Sequence, residues 1–137
     1  MAEKIQTSKK LMHVERIPIR WGDMDAMGHV NNTVYFRYME QTRISWFDAL
    51  VPGSGAWQDT GIVIANASCN FKRALNYPGT VEVTLSIEPP GGSSVGTFYE
   101  MKMGDTLYAD GAAVVVFIDM KSQKPIRIPE GIRSLLR

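Results

Sequence analysis

The segment TVYFRYMEQTRISWFDAL, residues 33–50, is where apolar side chains recur at steps of three and four. Val34, Tyr35, Tyr38, Met39, Thr42, Ser45, Trp46, Ala49 and Leu50 share one stripe, while Arg37, Glu40, Gln41, Arg43 and Asp48 gather mainly elsewhere. That spacing specifies one long amphipathic helix, and Pro52, Gly53 and Gly55 are placed to end it. From residue 61 the period becomes that of strands. GIVIANASCNFKRA is a long β candidate, NYPGT turns the chain, and TVEVTLSIE alternates at period two. PPGGSS reads as a hairpin turn, VGTFYEMKM as a strand, and Gly104-Asp105 as a tight turn. LYADGAAVVVFIDM is the last strand, with Gly111 a candidate bulge, and Pro129 with EGIRSLLR suggests a short terminal helix. Ahead of the long helix, residues 13–21 (HVERIPIRW) form a strand, irregular at Pro18, after a polar lead-in over 1–12. The order is β, long α, four antiparallel β: one α+β domain over residues 13–137.

That order constrains assembly. One helix covers one face of a five-stranded sheet, and the other face should then alternate with polar residues. Residues 112–118, AAVVVFI, are instead continuously apolar, as if buried on both sides. No second helix of adequate length remains, so a second copy is expected to supply the missing layer, as a homodimer or homotetramer. With 45% hydrophobic and 21% charged residues the composition is that of an ordinary globular domain. A formal charge of +1 gives no broad reason to expect nucleic acid or a membrane surface as partner. The single cysteine, Cys69, excludes an internal disulfide framework and fits a reducing interior. The first residues lack the apolar core of about 7–15 residues that a signal peptide needs, and no run approaches the roughly 20 that span a bilayer. The expected location is cytoplasmic.

Between the first strand and the helix stands GDMDAMGHVNN, residues 22–32. Asp25-Ala26-Met27-Gly28-His29-Val30-Asn31-Asn32, then Tyr35 and Glu40-x-x-Arg43, resembles the acyl-CoA thioesterases of the 4-hydroxybenzoyl-CoA thioesterase type. The resemblance covers roughly residues 13 to 136. It includes residues 117–125, FIDMKSQKP, similar to the final strand and turn of long-chain members of this group. It implies the hotdog fold, one long central helix wrapped by a five-stranded antiparallel sheet, and hydrolysis of an acyl-CoA thioester to free acid and coenzyme A. By the same resemblance the catalytic carboxylate matches Asp25, and the amide that polarises the thioester carbonyl matches the backbone of Asn32.

The chemistry fits that segment. A thioester carbonyl has weak resonance donation from sulfur, and the departing thiol has a pKa of ~8.5. Hydrolysis needs a base or nucleophile, an electrophilic site for the carbonyl oxygen, and a channel; it needs no metal or other cofactor. A carboxylate serves as base or nucleophile, and a helix N-terminus offers unpaired N–H groups to a developing oxyanion. Asp25 either attacks the carbonyl or activates a water; its structural alternative is an Asx-type cap of the turn. Asp23 reads as structural. His29 would orient Asp25 or the water, or simply bond the turn. Plant acyl-carrier-protein thioesterases look related and use Asp, Asn and His, but Met27 stands here where their Asn should be. Asn31 and Asn32 are good N-cap residues in any case.

Glu40 is the rival carboxylate, with Arg43 a ready ion-pair partner that favours a structural role. Cys69 reads as a core thiol, Ser68 lacks a nucleophile-elbow pattern, and His13 with His29 gives no metal-ligand spacing. Gly91-Gly92 is a turn, not a phosphate loop. Lys72 and Arg73 are expected near the phosphates of coenzyme A, and Tyr35, Trp57 and Asn66 along the acyl group. A hotdog hydratase acting on an acyl thioester and a non-catalytic acyl-thioester binding protein are the other classes such a chain could belong to.

Overall fold

The computed structural model describes residues 9–51 and 59–137. β1 (Lys10–Pro18) leads through a 3₁₀ turn (Trp21–Asp23) to α1 (Asn32–Leu50). Then follow β2 (Thr60–Phe71), β3 (Thr80–Ile87), β4 (Ser94–Met103) and β5 (Thr106–Asp119). A four-residue α2 (Glu130–Arg133) and a 3₁₀ turn (Ser134–Leu136) close the chain. The five strands form one antiparallel sheet in the order β1-β3-β4-β5-β2, with α1 laid on one face. β1 starts at Lys10, inside the stretch expected to be lead-in.

The core follows from periodicity. In β3, Val81, Val83, Leu85 and Ile87 are buried and the residues between them are not. Each such side chain contributes about 1.5–3 kcal/mol by leaving water. On α1 the buried positions are Tyr35, Tyr38, Met39, Thr42, Arg43, Trp46 and Phe47, a strict three-and-four spacing. Arg43 is the departure from expectation. It does not pair with Glu40, which meets Arg37 at 3.6 Å. Its guanidinium turns inward, 8% exposed, and donates to the Tyr99 hydroxyl at 3.2 Å. Tyr99 lies 2.7 Å from Thr97 Oγ1, which donates to the Ala113 carbonyl at 2.8 Å. A cation thus enters the core because a line of hydroxyls leads its hydrogen bond to a backbone acceptor.

Gly111 is not at a bulge. It pairs regularly with Cys69 and Tyr99, and a Cβ there would lie 2.9 Å from both Met39 Sδ and the Ser68 carbonyl oxygen. Glycine at this position lets α1 approach the sheet. The irregularities near it lie in β5 at Tyr108, the extra residue between Leu107 and Ala109 opposite β4, and in β2 between Ile64 and Asn66, where Ala65 is the extra residue. In β5, Ala113, Val115 and Phe117 are buried under α1, whereas Val114 on the opposite face is 36% exposed. Val63 of β2, opposite Val116, is 44% exposed. The outer apolar face that the sequence leaves without a layer is therefore partly open in the single chain, although Val116 is half-buried and Ile118, which bridges Pro125, is buried. β2 forms one edge of the sheet.

Candidate active site

Residues 23–31 make a small closed loop at the mouth of α1. The Asp25 N–H donates to the His29 carbonyl at 2.8 Å, the Gly28 N–H to the Asp25 carbonyl at 3.0 Å, and Met24 bridges Val30. Gly28 takes φ +79, a left-handed geometry that glycine adopts without strain. The loop is tied to the segment after β2. The Val30 N–H donates to the Leu75 carbonyl at 2.9 Å, and His29 Nδ1 lies 3.0 Å from Asn76 Oδ1. Tyr35, 2% exposed, accepts the Leu75 N–H at 3.1 Å and donates to the Arg73 carbonyl at 3.3 Å. Lys72 and Arg73 are thereby carried on a segment bonded to the Asp25 loop.

Asn31 is the N-cap of α1. Its Oδ1 accepts the Thr33 N–H at 3.0 Å and the Thr33 hydroxyl at 2.7 Å, and its carbonyl accepts the Val34 N–H at 2.9 Å. Its Nδ2 donates to Asp25 Oδ2 at 3.4 Å. With Thr33 and Val34 satisfied, the Asn32 N–H has no acceptor among the described residues. One uncommitted donor thus stands at the electropositive end of the helix, and the N-cap side chain reaches from it to the Asp25 carboxylate.

Asp25 also caps its turn, as its structural reading expects: Oδ1 accepts the Met27 N–H at 2.9 Å. Its side chain is exposed and lines none of four cavities found among the described residues. The His29 ring is exposed and engages Asn76 rather than the Asp25 carboxylate. Glu40 lies on the exposed side of α1 with Arg37. Lys72 meets Asp110 at 3.6 Å, while the Arg73 side chain has no partner among the described residues.

Of the acyl-side candidates, Tyr35 and Asn66 lie on opposite sides of the sheet in the single chain. Tyr35 is buried with its hydroxyl engaged at both ends, and burial pushes its pKa up. Trp57 lies outside the described residues. Asn66 stands opposite Val114 and so on the sheet face away from α1; the extra residue Ala65 turns it there. A mostly apolar groove of about 400 Å³ does run between α1 and β2, lined by Ile44, Phe47, Thr60, Gly61, Ile62 and Met120, with Asp48 its one charged residue. Cys69 is half-buried, and burial together with the charge of Asp110 pushes its thiol up to about 11. Among the described residues no three His, Cys, Asp or Glu side chains group to hold a metal, and no helix is long and apolar enough to cross a membrane. Sequence reasoning missed the contact between Tyr38 and Asp23, which lie fifteen residues apart; the Tyr38 hydroxyl donates to Asp23 Oδ2 at 2.8 Å.

The profile of the thioesterase-like superfamily matches residues 19–136, most of the chain. The chain belongs to that superfamily. Among solved structures of similar fold, a provisionally assigned acyl-CoA thioesterase of Xanthomonas campestris is 38% identical. The match covers 81% of this chain and 96% of that one, with TM-score 0.73. A provisionally assigned thioesterase of Pseudomonas aeruginosa is 30% identical over 93% of this chain and all of the other, with TM-score 0.83. The long-chain acyl-CoA thioesterase FadM of Escherichia coli is 24% identical, covering 88% of this chain and 94% of its own. The sheet order and single long helix are the hotdog architecture of these thioesterase-like proteins, and membership of the superfamily supports thioester hydrolysis.

Proposed function

We propose that this protein hydrolyses acyl-CoA thioesters with the Asp25 carboxylate and the Asn32 backbone amide. The observation that carries the reading is the uncommitted Asn32 N–H at the start of α1, with the Asp25 carboxylate bonded to the adjoining N-cap side chain. The thioester carbonyl oxygen accepts the Asn32 N–H, which draws electron density from the carbonyl carbon. Asp25 then either attacks that carbon or takes a proton from a water that does so. In the first route the C–S bond breaks, coenzyme A leaves as the thiolate, and water hydrolyses the acyl-aspartyl anhydride. In the second, hydroxide oxygen bonds to carbon and the same C–S bond breaks. Both give free acid and coenzyme A.

Arg73, with Lys72, takes the phosphates of coenzyme A, and the apolar groove between α1 and β2 takes the acyl tail. Within its superfamily the chain belongs with the 4-hydroxybenzoyl-CoA thioesterase type and works in the cytoplasm. A second copy completes the site by covering the Asp25 side chain, which is exposed in the single chain. His29 acts through the loop geometry it fixes with Asn76.

Release of thiol from a panel of acyl-CoAs, followed with a chromogenic thiol reagent, tests the reading. Native protein turns substrate over, and Asp25→Asn loses about a hundredfold or more in kcat with the fold intact. A dead Glu40→Gln beside an active Asp25→Asn would transfer the role to the helix carboxylate.

A further inference from the structure

We infer that Asp23 and Tyr38 form a positioning pair that fixes where the Asp25 carboxylate stands relative to the Asn32 N–H, which rests on the reading of the site given above. Asp23 makes four hydrogen bonds at the neck of the loop. Its N–H donates to the Arg20 carbonyl at 2.9 Å and its own carbonyl accepts the Asn31 N–H at 3.0 Å. Its Oδ2 accepts the Arg20 N–H at 2.9 Å and the Tyr38 hydroxyl at 2.8 Å. One residue therefore joins three bodies: the chain leaving β1, the N-cap of α1, and the second turn of that helix.

The Tyr38 end is the fixed point. Its ring is 4% exposed, packed into the core, and lies 6.4 Å from the ring of Tyr35. A carboxylate only accepts, so the phenol must donate. Burial and Asp23 both push the Tyr38 pKa well up, so that proton stays in place. Asp25 stands only two residues beyond this anchor, and the donor that it must face, at Asn32, follows the N-cap that Asp23 also holds. Without the phenol, Asp23 keeps its backbone bonds to Arg20 and Asn31 but loses its tie to the body of the helix. The loop neck can then shift against α1. A displacement of about 1 Å between reacting groups costs a step up to ~10²-fold.

The test is steady-state thiol release by the whole protein, with Asp25→Asn as the control for the site itself. Tyr38→Phe and Asp23→Ala should each lower kcat about 10- to 100-fold with KM near native. The double variant should be no worse than Asp23→Ala, because both changes cut the same bond. Asp23→Asn should retain kcat within about threefold, since an amide oxygen can accept from both Tyr38 and Arg20. Native kcat in Tyr38→Phe, losses that multiply in the double variant, or a change confined to KM or thermal midpoint each overturns the pairing. So does an Asp23→Asn as impaired as Asp23→Ala, which would make Asp23 itself the reacting group. Should Asp25→Asn keep full activity, the reading of the site fails first and the pairing falls with it; if only Tyr38→Phe stays native, the pairing fails and the site stands.

Discussion

Cys69 illustrates how position overrides residue type. Free in water a thiol reacts as its thiolate, but here burial and the neighbouring Asp110 push the pKa up to about 11. A raised thiol pKa means less thiolate at any pH below it, so at about pH 8 alkylation should run about a hundredfold slower than for free cysteine. The rate should climb about tenfold per pH unit until the thiol titrates. Carbamidomethylation followed by mass spectrometry checks this, and a rate equal to that of free cysteine would contradict it. At this scale the sequence was informative only where chemistry is local. The Asp25-to-Asn32 motif folds on itself within eight residues, so its turn, its Asx cap and the Asn31 N-cap could be anticipated. Asn66 could not be placed, because its facing depends on a single inserted residue, Ala65, whose bulge leaves no pattern in the chain. The inward turn of Arg43 was equally hidden, since the Tyr99 hydroxyl that receives it lies 56 positions away and the Thr97 hydroxyl behind that one 54.

At the scale of elements, the helix and the strands were legible because burial imposes their periods directly: β3 alternates throughout, and α1 hides every third and fourth residue. Harder to foresee was how the chain end is fastened. Arg133, 8% exposed, donates from Nη2 to the carbonyls of Gly91 at 2.7 Å and Gly92 at 2.9 Å. Ile132 and Leu136 are buried beside it. The guanidinium therefore staples the terminal turn to the β3–β4 hairpin. Arg133→Ala leaves two carbonyls without that donor and should cost ~1–3 kcal/mol. Urea denaturation should show a lower midpoint with unchanged slope, and kcat should stay native because the staple lies outside the proposed site. An unaltered midpoint would remove the staple from the forces that hold the fold.

For the whole molecule, the sequence argued that one helix is too little cover for this sheet, and the single chain leaves Val63 and Val114 on its outer face partly open. It also leaves β2 at the sheet edge. If a second copy supplies the cover, sedimentation at micromolar concentration should give at least twice the mass of one chain, and the thermal midpoint should rise with protein concentration. A lysine at Val63 should shift the balance towards single chains and lower activity together. A native protein that sediments as one chain while remaining active would end that view. The edge itself has a further consequence. From Thr60 to Phe71 it carries no charge and no proline, two of the devices that normally keep stray strands from adding on, and only the bulge at Ala65 interrupts it. A newly made, solitary copy would expose a strand twelve residues long with about half of its backbone groups unpaired, of the uncharged kind that seeds cross-β stacking. If a second copy covers that edge, how soon it arrives governs how much of the chain survives synthesis in working form.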